Sequence, residues 1–339
     1  MHRVAEWPRL ETGRLDTDGD AFRLMYHVPG IKELHMLKDS LNVIVKANLP
    51  IGRDGRNRPS LFPFGTSTGR NAHGKSLFNA HAAMRGFMVF PDDVVAVYLD
   101  WSQQEVALGA ALSGDEDLMQ AYLSGDVYHA FARDIGLTDD PDPKHWKKHD
   151  PNKIRDRMKS LYLAITYGMG VPSLAQSLQR HPLIASALIE KHKRRYPKFW
   201  QWRTERALSA MLNRVTMTEF GWPLRISTSP NQRTLVNFGC QGNGAECLRI
   251  AATRLCDAGL VPSMLVHDAV LMELPNHEQV GQSKDIMLRS GRDVCGLEIR
   301  VDGDVAPIRR YRDKRGTEMW DRIMTTLQAV GAIPAGMVP

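Results

Sequence analysis

The stretch SMLVHDAVLMELP, residues 263–275, constrains the fold more than any other. Met264, Leu265 and Val266 precede the polar pair His267-Asp268, and apolar residues resume through Val270, Leu271 and Met272. Read as β-structure, this is a tight hairpin with the His-Asp pair near its turn. Such a hairpin normally keeps its charges on a solvent face, yet here an aspartate stands at the tip of two strands apolar enough to be core. Turn chemistry accounts for most lone aspartates in such places, so a second role requires a partner elsewhere. DDVVAVYLD (92–100) offers one: an apolar run of strand length that also ends on an acid, Asp100.

Between these two places the pattern is mostly helical. Residues 102–125 read as helix broken near Gly114, and IRDRMKSLYLAITYGMG (154–170) reads as a strong amphipathic helix. Residues 186–212 give more helix interrupted at Pro197, and residues 235–255 a further helix after the polar turn TSPNQR. TDDPDPKHWKKHDPNK (138–153), with three prolines and many charges, reads as a loop or hinge. Strand-rich sequence is expected from the hairpin through GLEIRVDGDV (296–305), and one amphipathic helix over 30–45. Strands clustered at 92–100 and 263–305 with helices between them imply one sheet built from both places, carrying a helical lobe.

The 339 residues suffice for a substantial core and two or three subdomains. A net charge of +6 favours an anionic partner such as nucleic acid. Cys240, Cys247, Cys256 and Cys295 form no CxxC pair. They argue against a disulfide framework or zinc site, and for a reducing compartment. The N-terminal MHRVAEWPRLETGR has no apolar signal region, and no stretch approaches the roughly 18 apolar residues of a membrane span. The expectation is a soluble, cytoplasmic protein without a membrane partner.

Two aspartates at neighbouring strand ends repel unless they share a proton or hold hard divalent cations. Two Mg²⁺ ions on such a pair serve in-line phosphoryl or nucleotidyl transfer. In the 154–170 helix, Arg155, Lys159, Leu163 and Tyr167 recur every fourth residue and form one stripe. Two cations followed by an apolar and an aromatic group suit a nucleoside triphosphate, with phosphates on the cations and the base against the ring. The plainer reading of the stripe is an amphipathic helix with solvated basic side chains.

Together these segments resemble the family A DNA polymerases, the bacterial polymerase I and phage type. LDWSQQEVALGAALSGDEDLMQAYLSGDVYHAFA resembles the family's first palm motif, RDRMKSLYLAITYGMG its fingers helix, and VHDAV its second metal motif. TSTGR (66–70) is similar to the TGR segment before the palm, and RTLVNFGCQGNGAE (233–246) to the R-x3-N-x3-Q-G helix along the primer–template. The five matches run in the family's order from about residue 60 to 305.

The resemblance implies an α+β right-hand polymerase fold, with an antiparallel palm sheet, a helical fingers insertion and a reduced or missing thumb. Residues 1–60 would be a thumb remnant or partner-binding segment, 61–137 and 233–339 the two parts of the palm, and 138–232 the fingers. It implies that Asp100 and Asp268 hold two Mg²⁺ ions and that Arg155 and Lys159 grip the triphosphate of a dNTP. Gln103, Tyr128, Leu163 and Tyr167, with Gly168, would complete the nucleotide site. Arg70, Arg233, Asn237, Gln241 and His267 would line primer–template DNA. Glu105 would be the gate that rejects a ribose 2′-hydroxyl, although Ser102-Gln103-Gln104-Glu105 also has the S-x-x-E form of a capping box.

Three residues depart from the family's pattern. Ala269 follows Asp268 where a Glu is usual, Leu163 replaces an aromatic residue, and Tyr128 stands where many relatives have His, although His129 follows. Both metal aspartates remain, so the implied activity is DNA-templated DNA synthesis. A catalytically inert relative that only binds primer–template or a replication partner is the alternative. The short stretch before TGR implies a split or minimal polymerase: either a second polypeptide supplies the thumb, an exonuclease or both, or the enzyme is a compact one suited to filling short gaps.

Overall fold

The computed structural model describes residues 7–46, 48–150, 154–305, 311 and 313–333. By their contacts the residues divide into two units, one from Met1–Leu61, His73–Val89 and Arg310–Pro339, the other from Phe62–Ala72 and Phe90–Arg309. In the first unit, α1 (Gly19–Leu24) and α2 (Ile31–Lys46) meet through aromatic contacts. Phe22 stacks on the buried His35 at 4.8 Å, and Trp7 meets Phe22 edge-on at 5.1 Å.

Two short strands, β1 (Leu61–Phe62) and β2 (Ala72–His73), bracket the TSTGR turn in sequence. The second unit is built on β3 (Val95–Trp101), followed by α3 (Gln104–Ser113), α4 (Glu116–Leu123) and α5 (Val127–Asp134). Gly114, at φ 64°, breaks α3 from α4 at the place the sequence implies. The charged 138–153 stretch is not all loop: Pro143 starts α6 (Pro143–Lys148), with Asp142 capping it through Lys144 N–H. The helical lobe continues through α7 (Ile154–Thr166), α8 (Val171–Leu178), α9 (Pro182–Arg195) and α10 (Pro197–Asn213). The break between α9 and α10 falls at Pro197, as expected. β4 (Val215–Met217) and β5 (Pro223–Arg225) form a small hairpin before α11 (Gln232–Asp257).

β6 (Met264–Val266) and β7 (Ala269–Leu274) are the expected hairpin, joined by His267-Asp268 alone. The run to 305 is not simply strand-rich: α12 (His277–Cys295) intervenes before β8 (Val301–Val305). Its buried residues Val280, Ser283, Met287, Ser290 and Val294 follow a helical period. Two of them are serines, so the apolar signal is diluted. Their hydroxyls donate to Gln279 O and Ile286 O one turn back, which makes burial affordable. After β8 the chain returns to the first unit, where α13 (Thr317–Ala329) packs Trp320 and Met324 against Ala83.

The sheet order is β6-β7-β3-β8, with every pairing antiparallel. β3 is central, and Val97 and Leu99 on it are wholly buried. The core continues into the lobe around His192, which is wholly buried among Phe131, Tyr162, Tyr196 and Trp200. Trp200 Nε1–H donates to His192 Nδ1 at 3.0 Å, which requires a lone pair on that nitrogen.

Burial, with Arg203 nearby, lowers the His192 pKa from 6.5 to about 3. The folded state therefore keeps His192 neutral, whereas the unfolded state takes up a proton below pH 6.5. Stability should be unaffected by this group above pH 6.5 and fall as the pH drops from there toward 3. The slope approaches about 1.4 kcal/mol per pH unit. Urea unfolding between pH 7 and pH 4 should show that slope, reduced by up to one proton in His192→Phe.

Candidate active site

The register of β3 builds the site. Asp100 stands opposite Ala269 of β7 on one side and Asp302 of β8 on the other. Asp268, one residue before Ala269, is brought to the same end of the sheet, and Trp101 N–H donates to Asp268 O at 3.3 Å. His267 accepts φ 51° to make the turn, a left-handed conformation that few L-residues adopt. Asp100, Asp268 and Asp302 all line a cleft of about 650 Å³. Asp302 was missed by sequence reasoning because only the strand register reveals that it flanks Asp100.

The opposite wall comes from α7. Arg155, Lys159, Leu163 and Tyr167 all line the cleft, as their spacing implies. The helix ends in a Schellman turn: Met169 N–H reaches Ala164 O and Gly168 N–H reaches Ile165 O, with Gly168 at φ 77°. That stop leaves Tyr167 at the mouth of the cleft. Arg155 is ion-paired through Nε with Asp126, which also caps α5 through Tyr128 N–H at 3.0 Å. The Arg155 guanidinium lies over the Tyr128 ring at 5.5 Å. Tyr128 is thus a buried wall, and burial pushes its phenol up to about 12. His129 turns away, its Nε2 at 2.8 Å from Asp140 O. Lys144 and Lys147 of the unanticipated α6 add positive charge to the cleft.

Gln103 and Glu105 also line the cleft, in roles partly different from those expected. Gln103, at φ 55°, is itself the N-cap of α3, and Ser102 lies outside the helix. The capping-box reading of Glu105 therefore fails. The Glu105 carboxylate instead accepts from Arg70 in an ion pair and lies close enough to Tyr167 to act on its phenol. Burial, reinforced by that carboxylate, keeps Tyr167 a neutral phenol. The Gln103 amide spans to the start of α5, donating to Gly125 O at 3.2 Å and accepting from Val127 N–H at 3.1 Å.

The remaining expected residues gather separately. Arg70, Arg233, Asn237, Gln241 and His267 line a groove of about 330 Å³ with Thr66, Ser67 and Thr68. The TGR turn is anchored there by Arg249, which donates to Gly69 O at 2.8 Å and lies over the Phe64 ring at 4.3 Å. The groove and the cleft are joined twice, by the Arg70–Glu105 ion pair and by the adjacency of His267 and Asp268.

Burial pushes the Asp268 carboxyl above its usual range, opposed by electrostatic interaction with Arg70, His267 and Lys159. A carboxylate in that position gains from a cation nearby. The donors at this end of the sheet are carboxylate oxygens, which suit hard divalent ions. Among the described residues no group of three or more His, Cys, Asp or Glu side chains is close enough to hold a metal alone. Mg²⁺ fits such a site, since it characteristically takes one or two carboxylates and completes its shell with waters and substrate phosphates.

The family model for DNA polymerase family A matches residues 63–303. The DNA polymerase of Mycobacterium phage D29 is 25% identical over 223 residues, covering 65% of this chain and 35% of that protein. DNA polymerase I of Helicobacter pylori (strain ATCC 700392 / 26695) is 22% identical over 286 residues, covering 78% of this chain and 31% of that protein. The chain thus spans about a third of the length of these curated relatives. Among solved structures, the POL domain of Pol1 from M. smegmatis, in complex with DNA primer-template and dNTP, superposes with a TM-score of 0.73 at 21% identity. That match covers 93% of this chain and 59% of the other, and it shows the same right-hand polymerase fold. The family match spans well over half of the residues, and the chain belongs to DNA polymerase family A.

Proposed function

We propose that this chain is a DNA-directed DNA polymerase that adds dNTPs to a primer 3′-hydroxyl. The observation that carries this reading is one cleft lined by Asp100, Asp268, Arg155, Lys159 and Tyr167, joined to the groove that holds Arg70, Asn237 and Gln241. A site that only binds duplex has no use for two aspartates in its cleft.

In this proposal Asp100 and Asp268 hold two Mg²⁺ ions. When bound, such ions lower the pKa of the attacking hydroxyl and neutralise charge on the transferring phosphoryl group. Lys159 binds the triphosphate, and Arg155 joins it by sharing or leaving Asp126. Tyr167, neutral beside Glu105, presents its ring to the new base pair. Glu105 closes the sugar edge of the site, held in place by Arg70. Arg233, Asn237, Gln241 and His267 contact duplex features common to all sequences, so shape is checked without a sequence preference.

The proposal includes a second polypeptide that supplies thumb and exonuclease contacts. Its support is an apolar stripe on α2, where Leu34, Leu37, Leu41 and Val45 are all exposed.

Primer extension with Mg²⁺ tests the central reading. Asp100→Asn and Asp268→Asn should each reduce incorporation by about a thousandfold or more, roughly 4 kcal/mol of lost transition-state stabilisation. Primer–template binding should remain close to that of the parent. Extension by either variant at near the parent rate would refute the assignment. Run with a DNA trap, the same assay should give short products from the chain alone, and long products from one binding event would refute the second-polypeptide part.

Glu105→Ala should raise incorporation of ribonucleotides relative to deoxyribonucleotides by about tenfold or more, the effect of some 1.4 kcal/mol of lost discrimination. Because Gln103, not Ser102, caps α3, no capping interaction is removed with Glu105. An unchanged sugar preference in competition assays would mean that Glu105 serves only to hold Arg70.

A further inference from the structure

Behind the site lies a charged side chain that the mechanism has not used. Arg203 of α10 is only 4% exposed. Its Nε donates to Val236 O at 3.2 Å and its Nη2 to Asn237 Oδ1 at 2.9 Å. Its guanidinium lies over the rings of Phe199 and Trp200, at 5.1 and 5.0 Å. Nη1 is buried without a hydrogen-bond partner. The side chain borders a cavity of about 20 Å³, room for one water, whose other walls include Glu105, Leu163 and Tyr167.

A guanidinium buried only to staple two helices is an expensive device, since apolar packing would do the same without desolvating a charge. What Arg203 supplies that a packed apolar residue does not is polarity toward Asn237. Asn237 borders both this cavity and the groove that holds Arg70, Arg233 and Gln241. Its amide has an accepting end and a donating end. Arginine is donor-only, so it takes the oxygen and leaves the NH₂ for the groove. The minor-groove edges of A·T and T·A pairs both present acceptors at purine N3 and pyrimidine O2. A fixed donor finds a partner at a correctly shaped pair whichever base is present, whereas a flipped amide would set oxygen against acceptor.

We propose that Arg203 is a positioning residue for base-pair checking, fixing Asn237 as a hydrogen-bond donor toward the minor groove at the primer end. This rests on the polymerase reading above. It assigns Arg203 no contact with DNA, and it separates two roles that a stability measurement alone would merge.

The test uses the whole chain and primers carrying guanine or 3-deazaguanine, which lacks the N3 acceptor, at each of the terminal positions in turn. Single-turnover extension and primer–template affinity are measured for parent, Asn237→Ala, Arg203→Met and the double variant, with thermal unfolding alongside. The parent should lose about tenfold on 3-deazaguanine at one position, the effect of one hydrogen bond to a polar group. Asn237→Ala should be indifferent to the substitution, within about twofold by the same measure. Arg203→Met should be equally indifferent, and the double variant no more affected than either single one.

A tenfold ratio retained in Arg203→Met, with or without a lower melting temperature, would overturn the proposal. So would a parent indifferent to 3-deazaguanine at every position. If Arg203→Met does not fold, Arg203→Leu decides, because it fills similar space and removes every donor toward Asn237. Loss of the ratio in that variant supports the proposal, and a parent-like ratio overturns it. A parent chain that extends no primer refutes the polymerase reading instead, a result distinct from an unchanged ratio in an active enzyme.

Discussion

The antiparallel register that sets Asp100 between Ala269 and Asp302 is the constraint on which the rest of the site depends. Strand pairing has a period of two, so a slip of one residue would turn Asp100 to the other face of the sheet. The register is held by burial: Val97 and Leu99 on β3 and Val270 and Met272 on β7 are wholly inaccessible to solvent. A two-residue turn then leaves Asp268 one position beyond the last pair, at the same end of the sheet as Asp100. Hydrophobic burial thereby brings Asp100, Asp268 and Asp302 to one end of the sheet, where all three line one cleft.

Electrostatic pairing extends that placement outward. Asp126 caps a helix and holds Arg155 at once, so the same carboxylate ends α5 and aims a cation from α7. Glu105 ties Arg70 of the TGR turn to the start of α3, in the cleft that Tyr167 also lines. Arg203 ties α10 to α11 behind Asn237. Each link spans two segments distant in sequence. The elements that line the cleft and the groove are therefore coupled through buried or half-buried charges rather than through the sheet alone.

Much of this was legible because its signals are periodic. Alternation and apolar runs found β3 and the β6–β7 hairpin, and a four-residue repeat found the cleft-facing side of α7. The losses have physical causes. α12 was hidden because two of its inward positions are serines whose hydroxyls bond back to the helix, so burial left only a diluted apolar mark. α6 was hidden by charge and proline, although Asp142 before Pro143 is a helix start. The capping box at Ser102 misled because the helix starts two residues later, with Gln103 in the left-handed region, where no sequence rule places a glutamine. Asp302 and Arg203 required register and burial, which a single sequence does not display. Motif resemblance carries three-dimensional information that local pattern lacks: the residues it singled out, Gly168 apart, line either the cleft or the groove.

The central claim is that the register of β3 and the hairpin exists to hold catalytic cations between Asp100 and Asp268. A crystal structure of the chain with primer–template, a non-reactive dNTP analogue and Mg²⁺ tests it most directly. The account predicts cation density coordinated by both carboxylates at about 2.1 Å, with the triphosphate against Lys159 and Arg155. An ordered nucleotide with no cation coordinated by either aspartate would contradict it.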